Sequence, residues 1–127
     1  MTDRYMLMLV RNALLNLYKN TCNICNKYFE DNYLQCHHFV KRRQALLRYD
    51  WRNNFLLCLN CHNYVHTKEG EAKLILCMNR LDHGRFEYLC QRERINIKDF
   101  LIREGLSRNE FIKLQAKELK DIINEQH

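Results

Sequence analysis

Apolar and polar residues alternate along this chain with two periods, and the switches between them mark its elements. From Asp3 to Lys19, Tyr5, Leu9, Leu14 and Leu17 recur at helical spacing and predict an amphipathic helix that ends at Asn20-Thr21. Tyr33 to Val40 has strand character behind an Asp31-Asn32 turn, and Asn53 to Leu57 predicts a second strand. Leu59 to about His66 reads as a short helix. Beyond Gly70 the helical period dominates. Leu74, Ile75, Met78 and Leu81 predict a helix over 71–81, broken by Asp82-His83-Gly84, and Phe86 to Arg94 predicts another. A helix over Ile97 to Glu104 stops at Gly105, a residue suited to a C-terminal cap. Ser107-Arg108-Asn109-Glu110 has the form of a capping box and opens a last helix with Phe111, Leu114, Leu119 and Ile122. That tail suits core packing, DNA contact or dimerisation, with core packing the commonest outcome. The fold class is α+β, a small ββα core flanked by N- and C-terminal helices, divided as residues 1–20, 21–70 and 71–127.

Composition narrows this only a little. The 127 residues are 46% hydrophobic and contain no proline, which suits one helix-rich domain with a packed core. A net charge of +6 favours an anionic partner but does not identify one. No apolar run approaches the roughly 20 residues of a membrane span, so no membrane partner is expected. The apolar start, Met1 to Val10, continues into Arg11 and Tyr18 without a cleavage region of the signal type. A cytoplasmic location is the default.

The cysteines change the picture. Seven is an odd number, and four of them form two pairs, Cys22-x-x-Cys25 and Cys58-x-x-Cys61. In a reducing compartment that spacing means metal more often than disulfides. Four thiolates close a zinc shell that has no position left for water, so this zinc is structural. Of the others, Cys77 lies in an apolar helical pattern as a core filler, and Cys36 is expected on the strand face away from its histidine neighbour.

Four of the six histidines fall in the same window, and such a zinc does not need them. His62 and His66 are spaced i, i+4, so on a helix both rings leave one face and can grip one ion. His37 and His38 are adjacent on a strand and point to opposite faces, so only one of them can join that ion. Hydrolysis of a phosphodiester needs a base to activate water, and an imidazole outside the metal shell suits that task. A three-nitrogen shell suits zinc, nickel, cobalt or manganese better than magnesium, although cellular abundance keeps Mg²⁺, Mn²⁺, Zn²⁺ and Ni²⁺ all open.

Together His37-His38, Asn53 and His62-x-x-x-His66 resemble the HNH, or ββα-metal, endonuclease superfamily, with the spacing of HNH nucleases such as the colicin DNases. The two cysteine pairs and Leu47-Arg48-Tyr49-Asp50-Trp51-Arg52-Asn53 are similar to phage recombination endonucleases of the NinG/Rap type. The resemblance covers about residues 20 to 68. It implies that His38 is the general base, and that His37, His62 and His66 hold a catalytic divalent metal. It also implies that Asn53 holds the intervening loop and orients His38 by hydrogen bonding. Lys41, Arg42, Arg43, Arg48 and Arg52 lie in that loop, where an HNH fold would set them against DNA phosphates. A metal-dependent DNA endonuclease of phage type, acting in the host cytoplasm, is the leading expectation, and a homodimer is left open. The alternatives are a non-catalytic zinc-stabilised binding or assembly module and an RNA-directed nuclease.

Overall fold

The computed structural model describes residues 1–125. Helix α1 spans Asp3–Tyr18, capped by the Thr2 hydroxyl and ended by Lys19 in the left-handed region. Strands β1, Leu34–His38, and β2, Asn54–Cys58, form a two-stranded antiparallel sheet that pairs Leu34 with Cys58 and His38 with Asn54. Helix α2, Leu59–Tyr64, starts directly at the end of β2. Four more helices follow: α3 Lys68–Leu81, α4 Arg85–Glu93, α5 Ile97–Glu104 and α6 Arg108–Asn124. The class is therefore α+β, with a ββα unit between helical flanks.

Both strands are shifted slightly from the sequence expectation. Tyr33 belongs to a 3-10 turn before β1, and Phe39 and Val40 lie beyond its end. Asn53 closes a second 3-10 turn, Trp51–Asn53, so β2 starts one residue later. Apolar and β-branched pattern cannot distinguish the last residue of such a turn from the first of a strand. Helix α2 ends at Tyr64, leaving His66 in the turn that follows, though Val65 keeps helical dihedrals and donates to the Cys61 carbonyl.

β2 is the centre of the core, with all five residues buried. Its phenylalanine and leucines share one core with Met6, Leu9, Val10, Ala13 and Leu14 of α1 and with Leu74 and Met78 of α3. Each such aliphatic side chain contributes about 1.5–3 kcal/mol when fully buried. The capping box Ser107–Glu110 forms, and α6 packs along α1 through Ala116 and Leu119. Of the roles open to the tail, core packing is the one present within this chain. Gly70 in the first turn of α3 permits the close return after α2, because a Cβ there would sit 1.8 Å from the Tyr64 carbonyl oxygen. No helix among the described residues is long and apolar enough to cross a membrane.

Candidate metal centres and groove

The first cysteine pair sits in a tight hairpin. The amide of Cys22 donates to the Lys27 carbonyl, Asn26 turns back with φ 61°, and Thr21 bridges to Tyr28. Asn23, 2% exposed, locks this hairpin onto the sheet. Its amide donates to the Leu56 carbonyl and its Oδ1 accepts from the Leu56 amide, both at 2.8 Å, so it behaves like a third strand one residue long. The second pair is set by the β2–α2 junction: Cys58 ends the strand and Cys61 lies in the first helical turn.

These constraints bring the sulfur atoms of Cys22, Cys25, Cys58 and Cys61 within 4.8 Å of one another, with Cys25 and Cys58 4.0 Å apart. A tetrahedral zinc with bonds of about 2.3 Å would hold sulfurs about 3.8 Å apart, so the donor set fits a structural zinc. The thiols also respond to one another. Burial and then the neighbouring Cys22 push Cys61 far up, whereas at Cys22 the amides of Cys25, Cys58 and Ile24 outweigh burial and hold the thiol below its ordinary value. Four thiolates this close need a cation between them. Cys36 is in neither ligand group; burial raises its pKa to about 11, and it shares a small cavity with Leu7, Val10 and Arg11 of α1.

A second donor group lies on the other face of the sheet. One ring nitrogen each of His37, His62 and His66 falls within 4.8 Å of the others. The three rings meet with centroids 5.1–5.5 Å apart, His37 edge toward face with each of the others and His62 tilted at 55° to His66, as ligands arranged around a point. Burial, then the neighbouring rings of His62 and His66, lower His37 to about 4, and burial followed by His66 also lowers His62. Neutral imidazoles with free lone pairs are what a metal requires. The set fits one divalent ion.

His38 stands apart from that group. Its Nε2 lies 3.0 Å from the Arg48 carbonyl oxygen, and a carbonyl can only accept, so Nε2 carries the proton and Nδ1 the lone pair. Burial lowers its pKa; the Arg48 carbonyl opposes this, while the guanidiniums of Arg42 and Arg48 add to it. The ring is therefore neutral near pH 7, in one tautomer. Asn53 is fully buried and does not make the bond to His38 that the sequence suggested. Its side chain accepts from the Val40 amide at 2.7 Å and donates to the carbonyls of Val40 and Leu47. Asn53 thus staples the loop, and the loop's own backbone holds the histidine.

Residues 22–68 match the family model described as HNH endonuclease. This segment is an HNH domain. The match runs from the first zinc-type cysteine to the first residue of α3 and contains both donor groups, His38 and Asn53. No curated protein and no solved structure matches the chain.

A groove of about 1270 Å³ opens beside the HNH domain's histidines, between the loop after β1 and the α4–α5 elbow. His37, His38 and His66 line it together with Lys41 and Arg43, joined by Arg94 from the end of α4 and by Glu71 and Glu93. The other expected cations are placed differently. Arg42 pairs with Asp3 of α1, and Arg48 donates through Nε to the Arg42 carbonyl, so these two brace the loop. Arg52 lies away from the groove, paired with Asp50 and Glu118 at 3.4 Å and stacked 4.5 Å from the Trp51 ring centre. Its charge is neutralised by a residue of α6, which the local sequence could not foretell. Arg94 was missed because no spacing links it to the motif.

Proposed function

We propose that this chain is a metal-dependent endonuclease that hydrolyses DNA phosphodiester bonds. The observation that carries the reading is the division of labour among four histidines: three nitrogens converge to hold an ion, while the fourth ring is neutral, tautomer-fixed and outside that group. His37, His62 and His66 would hold a divalent ion, which when bound would supply positive charge to offset that developing on the scissile phosphate and the leaving oxygen. His38 Nδ1 takes a proton from the attacking water as the new P–O bond forms, and the opposite P–O bond breaks with its electrons leaving on oxygen. Asn53 keeps the loop closed, so that the Arg48 carbonyl holds the ring. Lys41 and Arg43, with Arg94 added, neutralise backbone phosphates along the groove. DNA as the polymer, and a phage-type origin, are what the resemblance of the motifs implies. The boundaries 1–20, 21–70 and 71–127 are part of the same proposal, with the middle unit carrying the chemistry.

The test is nicking of supercoiled plasmid by zinc-loaded protein while Mn²⁺ is titrated. Cleavage is expected to rise with Mn²⁺ and to fall about 10²-fold or more in His62→Ala, the loss associated with one transition-state charge contact. Cleavage that is independent of added metal, or equal in the variant, would remove the reading and favour a zinc-stabilised binding module.

A further inference from the structure

Arg85 opens α4, outside the HNH domain, and is 1% exposed. No carboxylate pairs with it among the described residues. Its donors go to neutral oxygens instead. Nε donates to the Arg52 carbonyl at 2.7 Å, and Nη2 to the carbonyls of Trp51 and Asn54 at 3.0 and 3.1 Å. Nη1 donates to the Tyr18 hydroxyl at 2.7 Å, and the guanidinium lies 4.3 Å from the Phe55 ring centre.

A buried cation is costly, and an apolar side chain of similar volume would fill this space with less desolvation. What arginine alone supplies is a rigid planar fork able to fix several carbonyls at once. The three carbonyls belong to residues flanking Asn53. Asn53 in turn receives the Phe39 amide on its own carbonyl and staples Val40. Asn54 donates to the Asp50 carbonyl at 2.7 Å and, at 3.4 Å, to the same Arg48 carbonyl that holds His38.

From this chain of contacts we infer that Arg85 is a positioning residue: it clamps the Trp51–Asn54 turn and thereby sets the loop that orients His38. The inference rests on the nuclease reading for its kinetic consequence but not for its structural one. α4 is then a working part of the site, and the HNH segment without it has a looser base.

The experiment uses the zinc-loaded full chain with Arg85→Lys, alone and combined with Asn53→Ala. Zinc content and a thermal melt establish folding. Hydrogen exchange of the Val40 amide and the His38 Nε2–H resonance report the loop, and kcat and KM for Mn²⁺-dependent plasmid nicking report the reaction. Arg85→Lys is expected to speed Val40 exchange about tenfold or more, as local opening becomes easier. It is expected to shift the Nε2–H resonance and lower kcat by about 10–100-fold, the scale of a small misplacement of a reacting group, while KM changes by less than about threefold. Adding Asn53→Ala should cost less than the product of the two single losses, because both act through one loop. A folded variant with unchanged Val40 exchange and kcat overturns the inference, as does a loss confined to KM or a fully multiplicative double variant. Should Arg85→Lys fail to fold, Tyr18→Phe removes only the partner of Nη1. It is expected to give the same directions at smaller size, and no change in Val40 exchange would overturn the inference. If the wild type does not cut DNA, the nuclease reading fails, while Val40 exchange and the His38 resonance still decide the role of Arg85.

Discussion

Cys58→Ser is expected to release zinc and unfold most of the chain, seen as loss of bound zinc and of the cooperative melt by circular dichroism. Structural zinc in small modules contributes roughly 10–16 kcal/mol of apparent binding free energy, comparable to the roughly 5–15 kcal/mol stability of a whole domain. The sulfur of Cys58 sits 4.0 Å from that of Cys25, at the point where β2 passes into α2. Without it the hairpin of Cys22 and Cys25 keeps its bonds between Asn23 and Leu56 but loses one thiolate link to the β2–α2 junction. The junction that places His62 loses its anchor at the same time. Other cysteines serve as controls: Cys90 is exposed and its replacement by serine should leave the melt unchanged, whereas Cys77, buried in α3, should lower it without loss of zinc. Equal, small effects at Cys58 and Cys77 would mean that the four thiols are ordinary core residues.

The second large effect concerns His38→Ala, for which the cleavage rate is expected to fall about 10²–10⁴-fold, the range for loss of a general base. Affinity for the second metal ion should stay within about twofold, because His38 does not belong to the three-histidine group. The variant also removes the His38 donor from the Arg48 carbonyl, which keeps the longer 3.4 Å bond from Asn54, a change of about 1 kcal/mol that a melt would register as modest. Rate and metal affinity falling together would instead make His38 a ligand. Calorimetric titration of Mn²⁺ beside single-turnover cleavage separates these outcomes.

Much of the site follows from periodicity. The spacing of His62 and His66 and the alternation of His37 and His38 across β1 follow from helix and strand geometry, and the structure brings His37, His62 and His66 together even though His66 lies in the turn just past α2. The cysteine pairs are equally legible, because the knuckle is a local turn. What the sequence hides is carried by backbone or by distant partners. The atom that holds His38 is the carbonyl of Arg48, and a carbonyl looks the same at every residue. Arg52 looks like a phosphate ligand until Glu118, 66 positions away, is found beside it. Arg85 opens α4 and Arg94 caps its end, both beyond the motif, and only folding brings one under the loop and the other to the groove. Asn53 was recognised as the loop's staple from its place in the motif, but its reach to Val40 and Leu47 depends on how residues 40–47 curl around it.

The most direct measurement is anomalous diffraction at the zinc and manganese edges from crystals of the zinc-loaded chain grown with Mn²⁺. Zinc is expected on Cys22, Cys25, Cys58 and Cys61, and manganese on His37, His62 and His66, with His38 Nε2 still on the Arg48 carbonyl and Nδ1 unligated. A manganese bound through His38, or none at the three imidazoles, would contradict the account.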